Sequence, residues 1–257
     1  ERLITSLVLI GVQSVMLLEN ANATLLHGGD VYPAGMGSGD TTLSTSIRVN
    51  TGWIEINGGT QLISTTSPYM NIGRAQGSIG TVTVVDNGSL LRLEGATSND
   101  GGAFLTVGRS GEGTLNIQNG ARMEIDSLGA HLARTVDGVP FPAGFNIGRD
   151  SSGKGAVNIT GPGSELSVVS DFAFGRIGTD GRGEMNITNG GKLSFSGINS
   201  DFNISSDGHH VSPGSGVLNI NSGGSVIGSV YMDVGSMGGT GEVNLDGSTS
   251  SITLQGA

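Results

Sequence analysis

Leu105-Thr-Val-Gly-Arg-Ser-Gly-Glu-Gly-Thr-Leu-Asn-Ile-Gln-Asn-Gly-Ala-Arg-Met-Glu-Ile125 holds the unit on which the chain is built. It reads as three short strands at 105–107, 114–117 and 121–125, separated by glycine turns at 108–113 and at Asn119-Gly120. Leu105 and Val107, Leu115 and Ile117, and Met123 and Ile125 lie two apart, so each pair points to one side of its strand. One such unit cannot bury its apolar side alone. Stacked copies can.

The copies are present on both sides. Upstream, Met70-Asn-Ile-Gly-Arg74 leads to Gly80-Thr-Val-Thr-Val84, Asn87-Gly88 and Leu91-Arg-Leu93. A degenerate earlier copy runs through Gly52-Trp-Ile-Glu-Ile56, Asn57-Gly-Gly59 and Gln61-Leu-Ile63. Downstream, the second strand recurs as Gly155-Ala-Val-Asn-Ile159, Gly183-Glu-Met-Asn-Ile187, Gly216-Val-Leu-Asn-Ile220 and Gly241-Glu-Val-Asn-Leu245. The markers Ile56, Val84, Ile117, Ile159, Ile187, Ile220 and Leu245 are spaced by 28, 33, 42, 28, 33 and 25 residues. That irregular period is the mark of a solenoid whose coils stack and whose loops vary. Three strands per copy fit a triangular β-helical coil better than a four-stranded propeller blade. The fold expected is therefore all-β, a parallel β-helix of about seven coils across 47–257.

Composition agrees with a narrow aliphatic core. Gly is 47 of 257 residues without a collagen period, and the glycines cluster at turns rather than in a low-complexity tract. Aromatic residues are 4% and charged residues 13%. A net charge of -10 argues against nucleic acid as a partner and is sufficient for ordinary solubility. With no cysteine, neither disulfides nor thiolate metal sites are available.

Residues 1–23 differ from the rest. The apolar run Leu3-Ile-Thr-Ser-Leu-Val-Leu-Ile-Gly-Val12 and Val15-Met-Leu-Leu18 ends at Ala21-Asn-Ala23, a small-x-small cleavage pattern. Arg2 is the positive residue ahead of it. An export signal is expected here; Thr5, Ser6, Gln13 and Ser14 interrupt the run and weigh against a stable membrane span. Residues 24–46 form a glycine-rich lead-in. Two stretches break the repeat, 126–144 and 206–214, and are expected to project as loops, through neutral drift or as binding surface.

Several recurrent residues have a physical role. Asn-Gly pairs at Asn57, Asn87, Asn119 and Asn189 supply turns with positive φ. Asn116, Asn158, Asn186, Asn219 and Asn244 hold one place in five copies, where stacking would let their amides form an outward hydrogen-bonded ladder. Arg74, Arg109, Arg149 and Arg176 each follow a glycine and would form a second row. Such a row would repel unless carboxylates or ordered water lie between its members, with Asp150, Glu112, Asp180 and Glu184 as candidate partners. It serves either the turn alone or a sulfated or uronic polymer.

The units Ile72-Gly-Arg74, Val107-Gly-Arg109, Ile147-Gly-Arg149 and Phe174-Gly-Arg176, each followed by a glycine-rich turn and strand, resemble the repeats of bacterial autotransporter passengers and of PEP-CTERM-associated surface proteins. The resemblance covers about 46–254. It implies a right-handed parallel β-helix displayed at the cell surface, at or beyond the outer membrane. The 257 residues include neither the translocating barrel nor the sorting tail of that family, so either a fragment of a longer protein or another export route is expected.

Catalysis by a polysaccharide-active β-helix needs clustered carboxylates, often with calcium. Glu55, Glu94, Glu124, Glu165, Glu184 and Glu242 share no common row in the repeat. The nonapeptide calcium repeat is missing, and His27, His131, His209 and His210 are too dispersed for a metal site on spacing. No cofactor and no metal are expected. The sequence thus points to an exported, adhesive or structural solenoid without catalysis, with extracellular polysaccharide or a host or matrix surface as partner. Arg74, Arg109, Arg149, Arg176, His131, His209 and His210 form its candidate ligand surface. The alternatives are a carbohydrate-active β-helix and a filament subunit. For the edge at Ile252-Thr-Leu254, continuation of the solenoid beyond Ala257 or end-to-end association is expected, because a solenoid end needs a polar cap.

Overall fold

Alternation of apolar and polar residues, interrupted by glycine at fixed places, winds this chain into seven three-stranded coils. The computed structural model describes residues 23–66, 68–95, 102–127, 135–136, 139–140, 143–205 and 213–255. The first face of the solenoid is built from residues 47–49, Tyr69–Ile72, Phe104–Val107, Gly144–Ile147, Phe174–Ile177, 201–204 and 231–234. The second takes 52–57, Ile79–Val85, Glu112–Gln118, Lys154–Thr160, Arg182–Thr188, Ser215–Ile220 and Thr240–Leu245. The third takes Gln61–Ser64, Leu90–Glu94, Arg122–Asp126, Glu165–Val169, 192–196, 225–229 and Ser251–Gln255, with Thr41–Leu43 paired to it ahead of the first coil. Every strand of a face runs parallel to the next, and twenty strands join in one hydrogen-bonded network.

Inward residues form columns through the stack. Val107, Ile117, Ile125, Ile147, Ile159, Ile187 and Ile220 are all fully buried. Their burial comes from the coils above and below as much as from the coil they belong to, which is how a narrow solenoid makes a core without large side chains.

Two glycine columns decide where the chain bends. Gly73, Gly108, Gly148, Gly178 and Gly235 follow the first-face strand with φ between 67° and 76°. A Cβ on Gly108 would lie 2.0 Å from the Lys154 carbonyl oxygen of the next coil. Ser205 holds this place in the sixth coil, at φ 99°, with its Oγ buried and without a hydrogen-bond partner. The second column, Gly80, Gly113, Gly155, Gly183, Gly216 and Gly241, opens the second face. There a Cβ would meet the carbonyl oxygen ending a first-face strand, as at Gly155, 2.2 Å from that of Val107. The Gly-x-Leu-x-Ile motif is thus a steric requirement of the corner. The turn after the second face is also left-handed in every coil, at Gly58, Asp86, Asn119, Gly161, Asn189, Ser222 and Gly247. All but Ser222 are glycine, asparagine or aspartate, the residue types that adopt positive φ most readily.

One register differs from the sequence reading. Phe174-Gly-Arg176 does not align with Ile147-Gly-Arg149; Ile177 pairs with Ile147, so Ile177-Gly-Thr179 is the equivalent unit. Gly175 then stands where Phe145 stands one coil earlier. A Cβ there would lie within 3 Å of Phe145, Phe195 and Phe202, whose rings fill the space that Gly175 leaves. Phe145 and Phe195 stack with centroids 6.1 Å apart, and Phe195 and Phe202 lie 5.5 Å apart. A volume swap between neighbouring coils hid the register in the sequence.

The two ends are unlike. Thr24–Tyr32, within the glycine-rich lead-in, runs antiparallel across Ile47–Asn57 and places Leu25 opposite Ile56. It is the one antiparallel strand of the twenty-strand network among the described residues. The last coil, by contrast, leaves Val234 and Leu245 exposed, with Val243, Ile252 and Leu254 partly buried. Residues 1–22, with the expected export segment, lie outside the described residues.

Candidate ligand surface

Outward side chains form columns as regular as those of the core, because parallel in-register strands repeat every side chain at the inter-strand spacing. On the second face the asparagines make a continuous ladder. Asn158 Nδ2 donates to Asn116 Oδ1 at 2.9 Å, Asn186 to Asn158 at 3.0 Å, Asn219 to Asn186 at 2.8 Å and Asn244 to Asn219 at 2.9 Å. At its lower end Asn116 Nδ2 meets Thr83 Oγ1 at 3.4 Å, and Glu55 continues the column below Thr83. Each central amide both donates and accepts along the axis. This is a clamp between coils rather than a ligand site.

The charged residues are likewise interlocked. On the third face Arg92 lies 2.7 Å from Asp126 and 3.7 Å from Glu124, while Glu165 takes Lys192 at 2.8 Å and Arg122 at 3.9 Å. On the second face Lys154 pairs with Glu112 at 2.8 Å, and Glu184 accepts from Asn186 at 3.1 Å. Glu112 and Glu184 are therefore committed elsewhere than to the arginine row. Among the described residues no group of three or more His, Asp or Glu could hold a metal ion.

The arginine row itself is shorter than the sequence suggested. Arg74, Arg109 and Arg149 follow one another in register at the turn after the first face, and Thr179 takes the fourth place. Asp150 sits between two of them, its carboxylate 3.7 Å from Arg109 Nε and 3.9 Å from Arg149 Nε, and it also accepts from Ser110 Oγ at 2.6 Å. Arg176 belongs instead to the middle of the first face, beside Asn146 and Asn203. Its guanidinium carbon lies 4.7 Å from the centroid of the Phe174 ring. His131, His209 and His210 lie outside the described residues.

Beside this row runs a feature that the sequence reading missed. The outward column of the first face reads Tyr69, Phe104, Gly144, Phe174, Asp201, Tyr231. Tyr69 and Phe104 have ring centroids 6.4 Å apart. Phe104 and Phe174 approach to 5.4 Å although a whole coil separates them. Gly144 makes this possible, since a Cβ there would lie 2.8 Å from Phe174 Cδ1. A shallow groove of about 330 Å³ is lined by Tyr69, Asn71, Phe104, Thr106, Arg109 and Arg149. The signal was available: each of these aromatics stands three residues before the apolar residue of an Ile-Gly or Val-Gly turn. Aligning the fifth copy on Arg176 instead of on Ile177-Gly178 concealed it.

No family model, curated protein or solved structure matches the chain. Among the described residues no helix is long and apolar enough to cross a membrane.

Proposed function

We propose that this chain is an exported, non-catalytic β-solenoid of the passenger type, which holds a binding surface away from a bacterial cell. The observation that carries this reading is the unbroken in-register stack. Seven coils at strand spacing give a rod roughly 30 Å long, clamped by the asparagine ladder and by ion pairs on two faces. Such a body repeats one set of outward residues along a line, which suits contact with an extended polymer or matrix. The apolar run at Leu3–Leu18 with Ala21-Asn-Ala23 supports export, as does the resemblance of the repeats to surface passengers.

The test is to express the full chain with an epitope near Gly214 in a bacterial host and treat intact cells with protease. Loss of the epitope from whole cells, with a mature N-terminus just after Ala23, is the expected result. Retention in the cytosol with residues 1–23 still attached would remove the proposal. Depolymerisation of any member of a polysaccharide panel by the purified protein would replace it with the enzymatic alternative.

A further inference from the structure

The aromatic column and the arginine turn row are adjacent, and nothing in the packing of the solenoid requires them to be. Tyr69, Phe104 and Phe174 point away from the core, whose inward column on these strands is Met70, Leu105 and Gly175, with Phe145 filling the space beside Gly175. Half-buried rings on an outer face leave apolar area in water, which is unfavourable unless another surface covers it. Three cations border these rings. Arg109 and Arg149 line the groove beside Tyr69 and Phe104, and Arg176 lies over Phe174. Asp150 meets Arg109 and Arg149 at Nε, 3.7 and 3.9 Å away, and the two arginine side chains stay 36% and 34% exposed at the groove.

We infer that this strip, from Tyr69 to Phe174 along the solenoid axis, binds an anionic polysaccharide whose pyranose rings carry carboxylate or sulfate. The ring faces are negative at the centre and accept the polarised C–H face of a sugar. The guanidinium fork matches a carboxylate or a sulfate ester in two parallel hydrogen bonds. Asn71, half-buried between the rings and the arginines, presents a polar group to hydroxyls, while Thr106 beneath the groove is buried. Gly144 closes the gap between Phe104 and Phe174, so the platform spans four coils without a break. A polymer lying across the strands would meet rings on one side and guanidinium groups on the other. The inference rests on the extracellular reading above for the source of the polymer, but not for the contact itself.

Affinity electrophoresis and calorimetry of the purified full chain test it, using polygalacturonate for the uronate, dextran sulfate for the sulfate ester, and dextran as the neutral control. Retardation by one or both anionic polymers and none by dextran is expected. The double substitution Arg109→Gln/Arg149→Gln should weaken binding at least about tenfold and flatten its dependence on salt. Phe104→Ala/Phe174→Ala should weaken it by a similar factor while leaving the salt dependence in place. Arg182→Gln, on the second face, should change neither. An unchanged thermal transition in the arginine double variant keeps the result separate from misfolding. Equal retention on dextran, no retention on either anionic polymer, an arginine variant that binds like the parent, or stronger binding of poly(U) than of both glycans would each overturn the inference. Because this assay uses soluble protein, it can fail while the export experiment succeeds, and the reverse.

Discussion

Ile56 and Leu245 stand in one inward column, six coils apart, yet Ile56 is 0% accessible and Leu245 51%. Both are aliphatic, both follow the same second-face pattern, and both precede a left-handed turn. The difference is what lies beyond them. Thr24–Tyr32 crosses the first coil antiparallel and sets Leu25 against Ile56, whereas no described strand lies beyond Thr240–Leu245. The antiparallel strand also ends the parallel repeat on that side, and its own outer edge takes the place of the first coil's. In a solenoid, burial is a property of the neighbouring coil and not of the residue's place in its own repeat.

The largest effect should separate the middle of the column from its end. Ile187→Asp places a charge in a dry interior and should lower stability by about 4–5 kcal/mol or more. In urea the transition should shift far to lower concentration or split as coils on either side uncouple. Leu245→Asp, at a half-exposed site, should cost under about 1 kcal/mol. Equal losses from the two substitutions would mean that the last coil is covered in solution, and analytical ultracentrifugation of the parent protein would then show association.

A smaller contrast lies in the asparagine ladder. Asn186→Ala removes a donor to Asn158 and to Glu184 and an acceptor for Asn219, all on a half-buried face. A loss of about 1–2 kcal/mol is expected in equilibrium unfolding. Asn244→Ala, on the exposed last rung, should cost only a few tenths. If both substitutions are silent, the ladder aligns coils without holding them.

The smallest effect has the opposite sign. Ser205 holds a left-handed place that glycine holds in five other coils, and its hydroxyl is buried without a partner. Ser205→Gly relieves about 1–3 kcal/mol of backbone strain and gives back about 0.5–1 kcal/mol through a freer unfolded chain. A net gain near 1 kcal/mol should raise the midpoint of thermal unfolding by about 2–4 °C. A lower midpoint would mean that the serine makes a contact worth more than the strain.

These contrasts separate what could be read from residues and what could not. The period-two alternation, the glycine at each corner and the asparagine in five copies could be read directly, since each is a local requirement repeated in every coil. From them follow the parallel β-helix, its seven coils, the buried columns and the outward direction of Asn116, Asn158, Asn186, Asn219 and Asn244. The register of the fifth copy could not be read, because Gly175 and the rings of Phe145, Phe195 and Phe202 exchange volume between coils, and only the pairing of Ile177 with Ile147 fixes the alignment. The antiparallel strand at 24–32 was equally hidden, since its glycines and weak alternation carry no sign of direction. The same holds for the surface. Arginine after glycine is a sequence pattern, but that Arg176 leaves the row, that Asp150 bridges Arg109 and Arg149, and that Phe104 meets Phe174 over Gly144 depend on which coil lies against which. The sequence by itself determined the repeat and the inward columns, because these follow from steric and hydrophobic rules within one coil. Only the stacking decided which outward side chains share a line, because that contact joins residues some thirty positions apart and depends on a register no single coil contains.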